Sequence, residues 1–134
     1  MIKNVDEFIT LRQSDNMDEQ YRASHDTADI NVWLEVIKNY PNLKTWVIHN
    51  KTIQTEILEI LCADTDPNVR SAVARKRKIN DFIFNALSVD PDENVRYALM
   101  CNTKLPIDKI KTIKVGNSTW LKEQLEEIIE NANR

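Results

Sequence analysis

Two acid–base pairs at the same spacing are the first candidates for chemistry in this chain. Asp64 precedes Arg70 by six residues, and Asp90 precedes Arg96 by six. The planar guanidinium fork matches a carboxylate or phosphate with two parallel hydrogen bonds, so such a row is either an anion-binding edge or an internal ladder. The ladder is the expectation. Asp64 falls near the end of one expected helix and Arg70 in the first turn of the next, so the intervening turn brings carboxylate and guanidinium together, and the fork can reach an adjacent repeat.

The second candidate is the run Arg75-Lys76-Arg77-Lys78, with Lys104 extending the same edge. Four consecutive cations in a turn cannot all be neutralised locally, so they could meet phosphates or an acidic protein. An acidic overall balance and the absence of a recognisable base-reading motif weigh against nucleic acid. Metal and nucleophilic chemistry have little behind them. His25 and His49 are the only histidines, and no Cys-x-x-Cys, His-Glu-x-x-His or Gly-rich loop accompanies them. Cys62 and Cys101 stand at different phases of the repeat described below, so reduced thiols are expected, with Cys62 a small packed residue. No catalytic residue, cofactor or metal is expected.

The elements that position these groups follow from a period of 26 residues. Leu43, Val69, Val95 and Leu121 share one phase; Lys44, Arg70, Arg96 and Lys122 another; Val47, Val73, Leu99 and Leu125 a third; Leu58, Phe84 and Ile110 a fourth. A fixed period in this range is the signature of a stacked array of supersecondary units. A single Gly and four Pro leave little material for hairpins, which favours an all-helical chain. Each central unit resolves into two short helices. Asp66-Pro67-Asn68-Val69 supplies a capping carboxylate and a proline at the first helical position, where it costs no hydrogen bond. Pro41 holds the same phase, though Tyr40 before it cannot cap. Asn50 and Asn102 come near the end of their helices, where Asn tolerates the left-handed conformation that often closes one. The second helices begin near Ile53, Ile79 and Leu105, with Pro106 in a first-turn position. Their buried stripes are Ile57, Leu58 and Leu61, then Ile83, Phe84 and Leu87, then Ile110 and Ile113.

Flanking the repeats, Asn4 with Glu7 and Asn16 with Glu19 read as helix starts, and Asp29 begins a helix with the stripe Ile30, Trp33, Leu34 and Ile37. Trp33 and Trp46 are expected in the core, and Tyr97 partly exposed. Trp120 either folds over the end of the stack or anchors a partner. Leu121, Leu125, Ile128 and Ile129 form one face of a closing helix over 118–132. Residues 1–134 are thus expected as a single domain: cap and degenerate repeat over 1–39, three repeats over 40–115, and a capping helix over 116–134.

The phrases Leu61-Cys-Ala-Asp64-x-Asp66-x-x-Val69-Arg70-x-x-Val73-Ala74 and Leu87-x-x-Asp90-x-Asp92-x-x-Val95-Arg96 resemble HEAT-like repeats, and more closely the leucine-rich repeat variant family. The likeness covers roughly 40–125 and is strongest in the two central units. It implies a short right-handed α-solenoid of about four to five HEAT-like repeats with capping helices, the first helix of each unit convex and the second concave. First helices of the variant family can tighten to 3₁₀ geometry. Such families are mostly non-enzymatic scaffolds that bind macromolecules. Some HEAT-like arrays are DNA glycosylases, but these are larger and carry a basic concave face with catalytic acid and aromatic residues that have no counterpart here. The flanks depart from the pattern, with Lys38 and Gly116 in the Asp phase and Lys44 and Lys122 in the Arg phase.

Charge is unevenly distributed. Residues 1–69 carry net −6, 70–115 net +5 and 116–134 net −2, a pattern able to steer a charged partner. The expected binding row is the exposed side of the second helices: Gln54, Thr55, Glu56 and Glu59, then Asp81, Asn85 and Ser88, then Asp108, Lys109, Lys111 and Thr112. Its mixed sign suits a protein ligand better than a polyanion. An immunity- or antitoxin-like role, in which a small acidic protein covers a basic toxin, is one version. The alternative is a nucleic-acid binder using Arg75–Lys78. With no long apolar run, the chain is expected to be cytoplasmic, without membrane contact, and monomeric.

Overall fold

A computed structural model describes the whole chain, residues 1–134. It is all-helical, with α1 (Val5–Gln13), α2 (Met17–His25), α3 (Ile30–Asn39), a 3₁₀ turn (Pro41–Leu43), α4 (Lys44–His49), α5 (Thr55–Leu61), α6 (Pro67–Ala74), α7 (Asp81–Ser88), α8 (Glu93–Met100), α9 (Ile107–Ile110) and α10 (Thr119–Ala132). The only strand-like pairing is an isolated bridge between Ile2 and Ala28. Two compact units are present, Met1–Leu58 and Glu59–Arg134.

Most helices start where an acceptor side chain meets their free amides. Asn4 Oδ1 takes the Glu7 N–H at 2.8 Å, Asn16 Oδ1 that of Glu19 at 3.1 Å, and Asp29 Oδ1 that of Asn31 at 2.9 Å. Asp66 and Asp92 cap α6 and α8 in the same way, each accepting at 2.8 Å from the amide two residues on. Where Tyr40 stands in the capping place, no side-chain cap forms and the chain enters as the 3₁₀ turn before α4. Each such cap is worth about 1 kcal/mol, enough to matter in helices of only eight residues.

In the Met1–Leu58 unit, α1 packs on α2 and α3, and α3 on α4. Trp33 is fully buried with its ring edge-on to Phe8, centroids 5.1 Å apart. The buried face of α3 is Val32, Trp33 and Val36 rather than the expected stripe; Ile30 and Ile37 are half-buried and Leu34 is exposed. Trp46 is also not a core residue. It is half-buried, with the Arg12 guanidinium 5.0 Å above its ring; Ala72 at the same phase is half-buried too, so the phase is not uniformly a core position.

In the Glu59–Arg134 unit, α6 lies along α8, α7 packs on both, and α10 packs on α8 and α9. Ile83, Phe84, Leu87, Ile110 and Ile113 are all buried, as are Ile57, Leu58 and Leu61 of the first copy. Phe84→Ala, which would empty a buried site, should cost about 3–5 kcal/mol. The third second-helix is cut short. Pro106 is the residue before α9, not inside it, and after Ile110 the chain tightens into three-residue turns, with Thr112 Oγ1 taking the Lys109 carbonyl at 2.6 Å. Lys111 and Thr112 lie beyond the helix. Ser88 is buried rather than exposed, because it sits one turn after Phe84 on the inward face of α7. On α10 only Leu121 is buried; Leu125, Ile128 and Ile129 are half-buried.

The asparagines at the helix ends do not adopt left-handed geometry, since no non-Gly residue has positive φ. They reach back one repeat instead. Asn50, with no solvent exposure, donates to the Ala23 and Asp26 carbonyls at 2.9 and 3.0 Å and accepts from Thr52 N–H at 2.8 Å. Asn102 donates to the Ala74 and Lys76 carbonyls at 2.9 and 2.8 Å and accepts from Lys104 N–H at 3.0 Å. A buried amide satisfied on both sides ties one helix end to the preceding one.

Candidate functional site

The acid–base ladder forms, but across repeats rather than within the six-residue spacing. Arg70 holds Asp90, twenty residues on, through Nε at 2.7 Å and Nη2 at 3.1 Å. From residue 64 it takes the backbone carbonyl, with Nη1 donating at 2.8 Å. The carboxylates of Asp64 and Asp90 accept the amides of Asp66 and Asp92, both at 2.9 Å. Asp90 thus accepts its own turn's amide and the Arg70 fork together, and Arg70 spans to the next repeat. Asp90 and its partner are largely buried, with side-chain exposures of 4% and 14%. The carboxylate raises the Arg70 pKa further above its usual value, chiefly by hydrogen bonding. The expected Asp90–Arg96 pair does not form. Arg96 donates through Nη1 to the Lys114 carbonyl at 2.8 Å, and its buried Nε has no partner.

The expected binding row is partly assembled in the Glu59–Arg134 unit. Glu59 accepts from Asn80 Nδ2 at 2.7 Å, while Asn80 Oδ1 caps α7 by accepting the Ile83 amide at 2.9 Å. Lys109 bridges to Asp81 and places Nζ 5.1 Å from the Phe84 ring centroid. That hydrogen bond, reinforced by the ammonium charge, lowers the Asp81 pKa below the ordinary aspartate value. Asn85, Asp108 and Lys111 are exposed, and Glu56 is exposed on α5 within the other unit.

Charge and polarity directed attention to that row, yet its least expected members are apolar. Phe82 is 61% exposed and Val89 60%; Phe82 and exposed Ala86 lie one turn apart on α7, away from Ile83 and Leu87, and Val89 follows as the residue that ends the helix. Ile60 holds the phase of Ala86 one repeat earlier and is half exposed. The signal was present in the sequence as disagreement between copies, since Phe82 stands where the others have Glu56 and Asp108.

Arg75, at the end of α6, and Arg77 and Lys78 after it are exposed and take part in no ion pair, whereas Lys76 is half-buried and its carbonyl is held by Asn102. Tyr97 is half-buried and its ring packs at a tilt of 52° against Trp120, centroids 4.9 Å apart, so Trp120 folds back onto α8 while remaining partly exposed.

In the Met1–Leu58 unit, Met17 and Tyr21 stand exposed beside a cavity of about 370 Å³ that Arg12, Trp46 and His49 also line. His25 stacks on Tyr21 with ring centroids 3.8 Å apart, and its Nδ1 lies 2.7 Å from Ser24 Oγ. That hydroxyl also contacts the Gln20 and Tyr21 carbonyls, which ties it to the end of its own helix. No three His, Cys, Asp or Glu side chains converge as a metal-binding group. Cys62 is buried and Cys101 exposed, both as free thiols; desolvation, with Glu59 nearby, pushes the Cys62 thiol pKa up. No helix is long and apolar enough to cross a membrane. No family model, curated protein or solved structure matches this chain.

Proposed function

We propose that the chain is a non-enzymatic protein-binding array, a short α-solenoid of the HEAT-like or leucine-rich repeat variant kind, and that it engages its partner through the outer side of α7. The observation that carries this reading is the exposure of Phe82 on α7 and of Val89 just past its end, beside a helix whose other side is packed. Exposed aromatic and branched side chains framed by charge are the composition of an interface centre with a polar rim. Here the rim is Glu59, Asp81, Asn85 and Lys109, of mixed sign, which favours a protein over a polyanion. The solenoid part of the reading is supported by the repeat-to-repeat bonds of Arg70 with Asp90 and of Asn102 with Ala74, because nearest-neighbour ties are what hold such arrays together. A cytosolic partner is part of the same proposal.

The test compares affinity capture from lysate by the wild-type chain and by Phe82→Ser/Val89→Ser, with helical content checked by circular dichroism. Loss of specific partners from the variant supports the α7 surface. Identical partner sets refute it.

A second reading has one observation in its favour, the three exposed and unpaired cations Arg75, Arg77 and Lys78. Binding to single-stranded or duplex DNA at low salt that collapses when these three become Ala would support nucleic acid. No binding at micromolar protein would reject it.

A further inference from the structure

The Arg70–Asp90 pair defines a register: an arginine of one copy takes the aspartate twenty residues later. Arg96 lies 26 residues after Arg70, and the same register leads to Gly116, which has no side chain to offer. Arg96 is nonetheless only 8% exposed. Its Nη1 holds a backbone carbonyl, as Nη1 of Arg70 does. Its Nε, the atom that in Arg70 carries the 2.7 Å bond to a carboxylate, is shielded from solvent and unpartnered. A desolvated charged donor without an acceptor is destabilising, and a carboxylate is the group that would relieve it.

Space for one is present. A cavity of about 460 Å³ is lined by Arg96, Asp90, Lys114, Gly116 and Asn117 among others. A Cβ built on Gly116 would stand 3.5 Å from Arg96 Nη1, so position 116 faces the guanidinium, although its backbone is left-handed (φ 59°) and a side chain there carries strain, least for Asp or Asn. Arg96 and Lys114 contribute positive charge, and the negative charge of Asp90 is already matched by Arg70.

We infer that this cavity is a carboxylate-binding site, in which a carboxylate supplied from outside the chain takes the place at Arg96 that Asp90 takes at Arg70. Nε lies beneath the cavity surface, so occupation draws the guanidinium outward. The carboxylate comes either from an acidic side chain of a bound protein or from a free small acid. The site shares Val89 with the proposed protein-binding surface, but it rests on Arg96, so the acetate response of the wild-type chain is read separately from the capture experiment.

The test follows Arg Nε–Hε resonances by NMR as sodium acetate is added to the full chain, with sodium chloride at matched ionic strength as control. A saturable displacement of the Arg96 signal in the millimolar range, roughly the affinity open to so small a ligand, is expected, with Arg70 unmoved. Gly116→Asp, which supplies the carboxylate internally, should abolish the response. Should that variant not fold, the saturation-transfer signal on the acetate methyl provides the second measurement, expected in the wild type and lost in Arg96→Lys, which keeps the charge but not the fork. Tighter binding of N-acetyl-aspartate amide than of acetate would identify a protein side chain as the source, and the reverse a free acid. An Arg96 signal that ignores acetate, moves equally with chloride, or responds more strongly to inorganic phosphate overturns the inference.

Discussion

Replacing Asp90 by Asn is the most informative perturbation of the repeat interface. The substitution keeps the size of the side chain and an oxygen able to accept the Asp92 amide at the observed 2.9 Å, so the turn is preserved. It removes the charge that receives Arg70 through Nε and Nη2. Removing one partner of a buried ion pair costs about 3–5 kcal/mol, because the other charge remains desolvated. The low end applies here for two reasons: the Arg70 side chain retains 14% exposure, and Nη1 keeps its carbonyls at residues 64 and 65. Urea denaturation of wild type, Asp90→Asn, Arg70→Met and the double variant, at constant slope, gives the coupling directly. A coupling of about 1–3 kcal/mol is expected. It should persist at high salt, since buried pairs are screened far less than exposed ones. A loss under about 0.5 kcal/mol in both single variants, within the range of ordinary surface substitutions, would refute the view that this pair joins the repeats.

Asn102→Ala should be destabilised by at least about 2 kcal/mol in the same assay, because two buried carbonyls and the Lys104 amide lose their partner together; an unchanged midpoint would reject the second ladder. The Asp81 carboxyl, held below its ordinary pKa by Lys109, contributes stability that is present above the unfolded-state pKa and lost as pH falls through the folded one. Its carboxyl carbon should accordingly titrate at lower pH in the wild type than in Lys109→Met, and coincident midpoints would contradict the pairing. Of the two thiols, exposed Cys101 should react with a disulfide reagent in the native state and Cys62 only on unfolding; two fast thiols would place Cys62 outside the core.

The period, the helical class and the caps were legible from residue types alone. Asn4, Asn16, Asp29, Asp66-Pro67 and the stripe Ile83, Phe84 and Leu87 act locally, and a cap or a buried face needs only the residues of its own turn or helix. What failed were inferences about reach. Arg70 takes Asp90, twenty residues on, and from residue 64 only the backbone carbonyl, because spacing along the chain does not say which repeat's carboxylate a long side chain reaches. The asparagines were read as local helix terminators because sequence spacing says nothing about the carbonyls of a preceding unit.

Sequence by itself therefore determined what each 26-residue copy is: two short helices and the apolar side of the second, with the second helices starting at Thr55, Asp81 and Ile107, two residues beyond the expected Ile53, Ile79 and Leu105. Those properties follow from short-range hydrogen bonding and helical periodicity. Tertiary structure alone decided which copy's polar groups meet which, that Phe82 stays in solvent, and that Arg96 has Gly116 where Arg70 has Asp90. The reason is that a side chain about 6 Å long spans the distance between neighbouring helices, so its partner is set by packing, to which order along the chain is only a weak guide.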